Sequence, residues 1–240
     1  NTDAIKNIDF YKGSFPAQYG GRVSSVVDVR TKDGNNEKIK GDFSIGLISA
    51  KINLEGPRIK DKTTFSISAR RTYLDLITTP LIKYENNQNN DGDVDFGYHF
   101  SDVNMKIQHK FNYKSKLTAS LYWGEDKYNF SIDENSTSNA GNSKSKVKWG
   151  NFITTLDWAY QLSNVLFTNL SVSYNKYKSN INSTYESISN ENGQEDKYNF
   201  SYDFISSVED VSIRNNYNYY LNSYNSIRFG VEYTHHSYAP

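Results

Sequence analysis

The stretch Asp102-Val103-Asn104-Met105-Lys106-Ile107-Gln108-His109-Lys110-Phe111-Asn112 decides the fold class, because two kinds of residue alternate along it. Successive side chains of a β-strand point to opposite faces of the sheet. One face would carry Val103, Met105, Ile107, His109 and Phe111. The opposite face would carry Asp102, Asn104, Lys106, Gln108, Lys110 and Asn112. The alternation predicts a strand with one largely apolar face and one fully polar face.

The same alternation recurs along the chain, in residues 63–70, 117–124, 152–161, 166–175, 227–234 and, more weakly, 211–220. Short connections at 56–62, 113–116, 163–165 and 221–225 alternate with long polar stretches near 74–100, 131–146 and 180–199. Transmembrane β-barrels have short turns at one end and long loops at the other. A soluble sheet would instead need a second layer over its apolar face. The sequence therefore predicts an all-β fold that is part of a large antiparallel transmembrane β-barrel.

Residues 38–55 contain a change of phase. Apolar residues fall on odd positions up to Leu47 and on even positions from Ile48. Either a bulge lies near Leu47 or two short strands meet there in a tight turn. The alternation of short and long connections favours two strands, which brings the total to about nine. Single-chain bacterial barrels have an even number of strands, so we expect this chain to be a fragment, with more strands after Pro240.

The first part of the chain has a different character. Two short apolar segments, residues 5–10 and 23–30, flank a turn that is rich in Gly and Pro, and a polar linker follows at residues 32–36. We therefore expect one unit over residues 1–36 and a second, strand-rich unit over residues 37–240.

Composition excludes several classes of function. Lys plus Arg and Asp plus Glu number 27 each, so no net positive charge would attract nucleic acid. The chain has no cysteine for disulfides or thiolate metal sites. It has none of the common catalytic motifs of hydrolases, zinc proteases or nucleotide-binding enzymes, so we expect that it is not an enzyme.

Residues 15–32, which begin Phe15-Pro16-Ala17-Gln18-Tyr19-Gly20-Gly21-Arg22, resemble the end of the plug domain in TonB-dependent outer-membrane receptors, most closely those of the Bacteroidetes. The stretch Leu54-Glu55-Gly56-Pro57 resembles the first periplasmic turn of their barrel. Arg70-Arg71-Thr72-Tyr73 and Trp149-Gly150-Asn151 are also similar to this family. The resemblance covers essentially the whole chain, although most of the plug and more than half of the expected strands are missing from it.

The resemblance implies a barrel of roughly 22 strands whose lumen is closed by an N-terminal plug. It implies active uptake of a nutrient ligand across the outer membrane of a Gram-negative bacterium. TonB would act through a segment near the N-terminus that this sequence lacks. The lipid bilayer, a surface lipoprotein that captures ligand, and an unidentified small ligand are the other implied partners, and no cofactor is implied.

Within the plug motif Tyr19-Gly20-Gly21-Arg22, we expect Arg22 to form an ion pair between plug and barrel wall, because a charge in a packed lumen needs a partner. The candidate partners are Asp102, Asp157 and Glu232. The alternative is a solvated arginine in a turn. The lumen-facing polar row would be Asp102, Asn104, Lys106, Gln108 and Lys110.

Asp91, Asp93 and Asp95 have the spacing of the first three ligands of an EF-hand loop. Phe96 stands where that loop needs glycine, and Asp102 stands where it needs glutamate, so a polar surface loop is the favoured interpretation. The histidines do not have the spacing of a shared metal site.

Aromatic residues near the strand ends fit the interface girdles of a membrane barrel; they are Trp123, Trp149, Trp158, Tyr160, Tyr174, Tyr217, Tyr219 and Tyr233. Stacking on a carbohydrate in the lumen is the alternative, and Tyr122 on the polar row is the better candidate for it. The rival to a transport receptor is a soluble β-sandwich adhesin or a small self-closed barrel.

Overall fold

The computed structural model describes residues 2–20, 24–88, 92–135, 139–191 and 194–240, which form two antiparallel β-sheets and one α-helix. The first sheet has two strands, β1 (Ile5–Lys12) and β2 (Ser25–Thr31). Short 3-10 turns at Thr2–Ala4 and Ala17–Tyr19 accompany it. Residues 32–39 then lead to the second sheet, which begins at Lys40 close to the expected boundary near residue 36.

The second sheet has nine strands, and every strand pairs with its neighbours in the sequence. The strands are β3 (Lys40–Ile45), β4 (Ser49–Ile59), β5 (Thr63–Thr72), β6 (Gly92–Asn112), β7 (Ser115–Asn135), β8 (Asn139–Gln161), β9 (Leu166–Glu191), β10 (Gln194–Tyr220) and β11 (Ser226–Ala239). The predicted all-β class and the predicted count of nine strands in this part of the chain are confirmed. In the described residues, β3 and β11 form the two edges of the sheet.

The change of phase near Leu47 is a tight hairpin. Strands β3 and β4 pair from Lys40 with Glu55 to Ile45 with Ala50. Gly46 donates its backbone N–H to the carbonyl of Ser49, which closes the turn. The interpretation with two strands is therefore correct, and no bulge is needed.

The expected first short turn at Glu55, Gly56 and Pro57 is wrong, because these residues lie inside β4 and the turn follows at residues 60–62. Asp61 provides the left-handed turn conformation, with φ 58°. Gly56 has a different role: Ile39 packs directly onto it, and a Cβ there would clash with the Ile39 backbone. Pro57 lies beyond the last pair of β3 with β4, so its missing N–H removes no hydrogen bond to β3.

The polar stretches near 131–146 and 180–199 were expected to be loops, but their described residues, 131–135, 139–146, 180–191 and 194–199, are continuations of the strands. Strand β10 alone has 27 residues, about 85 Å of extended chain. Strand β9 pairs with it in register from Gln194 opposite Glu191 to Tyr219 opposite Leu166. The stretch 74–100 is also mostly regular, because it contains helix α1 (Leu74–Asn86) and the start of β6.

Helix α1 covers the part of β6 that extends beyond β5. The side-chain amide of Asn86 donates to the carbonyl of Val94 (2.7 Å), and the Val94 N–H donates back to Asn86 Oδ1 (3.2 Å). Thr72 Oγ1 accepts a hydrogen bond from the N–H of Phe100 (2.8 Å). These side chains satisfy backbone groups that would otherwise form an open strand edge.

Candidate functional site: the polar inner face

The nine-stranded sheet has two faces of opposite character. We call the face that contacts residues 2–33 the inner face and the opposite one the outer face. One row across the outer face is apolar or aromatic throughout and consists of the mutually paired residues Phe65, Ile107, Ala119, Leu156, Val172, Ile213 and Tyr233. The adjacent row on the inner face is polar throughout and consists of Ser66, Lys106, Ser120, Thr155, Ser173, Ser212 and Thr234.

Burial is the reverse of that in a water-soluble protein. Ile107, Leu156 and Ile213 are each 47–48% exposed, and they belong to an outer apolar band. The band also includes Ile67, Met105, Leu121, Trp123, Trp158, Val172, Val211, Val231 and Tyr233. Among the described residues, Ala4 is the one buried apolar side chain. The buried polar side chains are Thr63, Thr64, Ser68, Thr72, Asp102, Ser115 and Thr118.

Asp102 is the most enclosed charge of the inner face, with 3% of its surface exposed. Arg70, which lies opposite it on β5, directs both Nε and Nη2 at Asp102 Oδ2, each at 2.7 Å. The guanidinium also lies over the ring of Phe100, 4.6 Å from its centroid. A buried charge needs such a partner, so this pair fixes β5 and β6 together on the inner face.

The N-terminal segment is bound to this face by charged contacts. Lys106 Nζ lies 2.7 Å from Asp33 Oδ1 and donates to the carbonyl of Thr31 at 3.1 Å. Thr64 Oγ1 donates to the Asp33 carbonyl at 2.8 Å. Gly34 has φ +83° and lies so close to the Phe65 backbone that a Cβ would clash with it. The linker can pass this close to β5 only with glycine at that position.

Asp3 makes a second contact between the segment and the inner face. Its carboxylate lies 2.5 Å from Lys51 Nζ and accepts a longer hydrogen bond from Asn53, at 3.4 Å. The pKa of Asp3 lies below its usual value, mainly because of the hydrogen bond from Lys51.

The electrostatics of Asp33 give a pH-dependent prediction. Burial opposes ionisation of this carboxyl, but hydrogen bonds from Lys106 and Lys6 outweigh it and lower its pKa to about 2. Because the pKa is lower when the segment is bound, the contact is fully stabilising above about pH 4 and is lost as the pH falls toward 2. Because pepsin is itself more active at pH 2, the quantity to measure is its cleavage rate at residues 32–39 relative to an unfolded peptide of the same sequence, and this relative rate should be higher at pH 2 than at pH 4.

The variant Asp33→Asn should remove most of this pH dependence and leave the linker equally sensitive at both values. Asp9→Asn is the control, because Asp9 lies 3.6 Å from Arg30 within the two-stranded sheet and does not contact the linker. A wild-type chain whose relative cleavage rate is the same at pH 2 and pH 4 would contradict this account of the contact.

The predicted polar row is on the inner face, but its members differ in their contacts. Lys106 binds the N-terminal segment, and Asp102 binds Arg70. Asn104 lines a small cavity between this segment and the sheet, together with Tyr122. Gln108 is half-buried and Lys110 is exposed, nearer the short turns.

Tyr19, from the expected plug motif, packs on the two-stranded sheet rather than on the nine-stranded sheet. Its hydroxyl donates to Asp28 at 3.1 Å, and its ring centroid lies 5.5 Å from that of Tyr11. Gly20 borders a groove along β9 to β11. Gly21 and Arg22 lie outside the described residues, so the expected ion pair of Arg22 stays a prediction.

Two of the carboxylates expected to pair with Arg22 have arginine partners on neighbouring strands. Asp102 binds Arg70, and Glu232 lies 2.7 Å from Arg214. Asp157 is half-buried on the inner face, opposite Ser171.

The two candidate calcium ligands that the structure describes do not lie in a loop. Asp93 and Asp95 lie in β6, where they pair with Asp133 and Ser131 of β7, whereas Asp91 lies outside the described residues. An extended strand cannot wrap around an ion as an EF-hand loop does. No cluster of three potential metal-ligating side chains occurs in the part of the chain that the structure describes.

The sequence analysis did not predict that the inner face changes from polar to aromatic along the strands. We call the end of the sheet opposite the short turns the long-strand end. Toward it, the inner face becomes aromatic. Phe96 pairs with Phe130, Tyr98 with Tyr128, and Tyr185 with Phe200. The alternation of Val94, Phe96, Tyr98 and Phe100 was visible in the sequence but fell inside an expected loop.

Most of the aromatic residues expected in girdles lie on the outer face. Trp158 and Tyr160, with ring centroids 5.7 Å apart, are near the short turns, and Trp123 and Tyr174 are at the other margin of the outer apolar band. Trp149 is an exception, because it pairs with Asp126 on the inner face.

The chain matches no protein-family model, and no curated protein sequence is significantly similar to it. Among the described residues, no helix is both long and apolar enough to cross a membrane.

Proposed function

We propose that this chain is part of a TonB-dependent outer-membrane receptor that takes up a nutrient ligand through a plugged transmembrane β-barrel. The observation that carries the proposal is the reversed polarity of the sheet. Its exposed outer row is apolar from Phe65 to Tyr233, and its inner row is polar from Ser66 to Thr234. Lipid is the solvent that suits the first row, and a polar lumen suits the second.

The contacts of the N-terminal segment suit a plug. Asp3 and Asp33 bind Lys51 and Lys106, which project from strands β4 and β6. Partly hydrated ion pairs of this kind contribute little free energy each. A plug bound in this way can be displaced by a pulling force without unfolding the wall, and its displacement would open a polar path along the inner face.

The edges of the sheet fit a larger barrel. Strands β3 and β11 each present unpaired backbone groups to one side, which cannot face lipid. In the proposed receptor, further strands pair with both edges and close the barrel.

A water-soluble adhesin is the rival class, and the exposed band argues against it. Soluble monomers rarely expose a continuous apolar patch larger than a few hundred Å². The outer apolar band extends across strands β5 to β11 with about half of many side chains accessible. In water, such a face would need a second layer.

Solubility tests the membrane part of the proposal. The full chain should sediment with the outer membrane of a Gram-negative host. It should require detergent for extraction, because detergent must cover the outer apolar band once lipid is removed. A chain that stays dispersed after detergent removal would contradict a membrane location.

Growth tests the transport part of the proposal. Deletion of the gene should abolish growth on a nutrient source that also requires TonB, and wild-type growth on every TonB-dependent source would contradict transport.

A further inference from the structure

A row of lysines lies directly beyond the outer apolar band. Lys144, Lys146 and Lys148 occupy alternate positions of β8 and therefore share one face with Phe152 and Leu156 of the outer face. The pairing of β8 with both neighbours is free of register shifts, so this face does not change along the strand. The outer lysine patch consists of Lys127, Lys144, Lys146, Lys148, Lys176 and Lys178.

The patch has more positive charge than its own carboxylates neutralise. Glu125 lies 2.8 Å from both Lys127 and Lys148, and Glu209 lies 2.6 Å from Lys176. In the described part of the chain, no carboxylate lies within ion-pair distance of Lys144, Lys146 or Lys178. Six lysines thus face two glutamates.

Further carboxylates of the same face lie nearer the long-strand end. They are Asp93 and Asp95 of β6, Asp133 opposite Asp93, Glu186 and Asp203. Asp133 accepts a hydrogen bond from Asn142, and Asp203 accepts one from Asn182 at 2.7 Å.

The pairing within the patch is itself unfavourable without an anion. Lys127 and Lys148 lie directly opposite each other on β7 and β8. Like charges at directly opposed positions destabilise a sheet. Glu125 relieves this pair from one side only, toward the outer apolar band, because it lies opposite Gly150.

The location of the patch identifies the anion. Trp123, Phe152 and Tyr174 form the margin of the outer apolar band. On β9 the next position of this face is Lys176, whereas on β7 and β8 Glu125 and Gly150 come first and Lys127 and Lys148 follow. In the function proposed above, that margin is the boundary between hydrocarbon and headgroups. Lysine side chains at this depth reach the headgroup layer, where anionic lipids attract them.

We infer that the outer lysine patch binds the phosphate groups of anionic lipid headgroups in the leaflet at the long-strand end of the sheet. This inference rests on the proposed membrane location. Lysine ammonium groups bind phosphates as separate point charges, and several of them spread over three strands suit a headgroup with more than one phosphate.

The test uses the purified full chain in neutral detergent and lipid A as the probe, with binding measured by native mass spectrometry. The triple variant Lys144→Gln, Lys146→Gln, Lys148→Gln should bind lipid A on the order of 100-fold more weakly than the wild type. The matched control is Lys60→Gln, Lys62→Gln, Lys114→Gln, which removes three lysines from turns at the opposite end and should bind normally. Replacement of Lys144, Lys146 and Lys148 by arginine should preserve binding.

Equal binding by the wild type and the glutamine triple variant would overturn the inference, as would equal binding of lipid A from which the phosphates have been removed. Displacement of lipid A by a modest excess of inorganic phosphate would also overturn it, because the site would then be one for a soluble anion. A chain that needs detergent but fails these tests refutes only the lipid site. A chain that stays soluble without detergent refutes the membrane location itself.

Discussion

Replacing Ile213 with arginine should destabilise the membrane-inserted protein by about 2–4 kcal/mol, the cost of a lipid-facing arginine near the middle of a bilayer. Replacing Ile205 with arginine should change its stability by less than about 0.5 kcal/mol. The two isoleucines form a matched pair, because both lie on β10, eight residues apart and on the same face. Their exposed fractions are nearly equal, at 48% and 47%.

The difference between the two sites is their distance from the short turns. Ile213 lies in the outer apolar band between Val172 and Tyr233. Ile205 lies beyond the band, opposite Asn180, which in turn lies opposite Lys148. Only the first site would be in hydrocarbon.

The measurement is the free energy of unfolding of each variant in phospholipid vesicles, from urea titration. In water, two sites of equal exposure on one strand would respond alike to arginine. Equal effects of the two substitutions in vesicles would therefore contradict a lipid-facing outer band, whatever their absolute size.

The parts of the fold that the sequence predicted are those in which one face differs from the other. In residues 102–112 and 166–175, alternation identified both the strand and the face of each side chain. The change of phase at Leu47 identified the β3–β4 hairpin, because a period of two cannot change phase within a regular strand.

The strand ends could not be predicted, because prediction depends on a difference between the two faces of a strand. In residues 180–191 both faces of β9 are rich in Ser and Asn, so the pattern that marks a strand is absent although the backbone pairing continues. At residues 94–100 and 198–204 the alternation was present, but the apolar residues were on the inner face instead of the outer one. Assigning these segments to loops hid the aromatic end of the inner face.

For the candidate site, the sequence predicted which residues share a face of the sheet, but it did not predict their individual contacts. The position of Lys106 on the polar row followed from its place in the alternation. Its contact with Asp33 depends on the path of the linker across β5, which the close approach of Gly34 to Phe65 makes possible. Residues 73 positions apart carry no local signal of such a contact.

Replacing Arg70 with methionine should destabilise the protein by about 3 kcal/mol, because it removes the guanidinium from a carboxylate that is almost completely buried. Arg214→Met is the matched control. Arg214 and Glu232 are also directly opposed across two strands on the inner face, and their separation is also 2.7 Å. Their side chains are 40% and 37% exposed, so water can replace the lost partner, and the expected cost is below about 1 kcal/mol.

Neutralising Asp102 should recover much of the loss at Arg70. In the double variant Arg70→Met, Asp102→Asn the buried charge is gone, and the remaining amide is far cheaper to enclose than a carboxylate. We expect the free energy of unfolding of the double variant to exceed that of Arg70→Met alone, whereas independent sites would give additive losses. If the losses add, or if Arg70→Met costs no more than Arg214→Met, burial of Asp102 does not control the stability of the inner face. If the losses are not additive, the Arg70–Asp102 pair holds β5 and β6 together independently of the weaker, hydrated contacts of Asp3 and Asp33. The two strands would then keep their structure when those contacts are broken, as displacement of a plug requires.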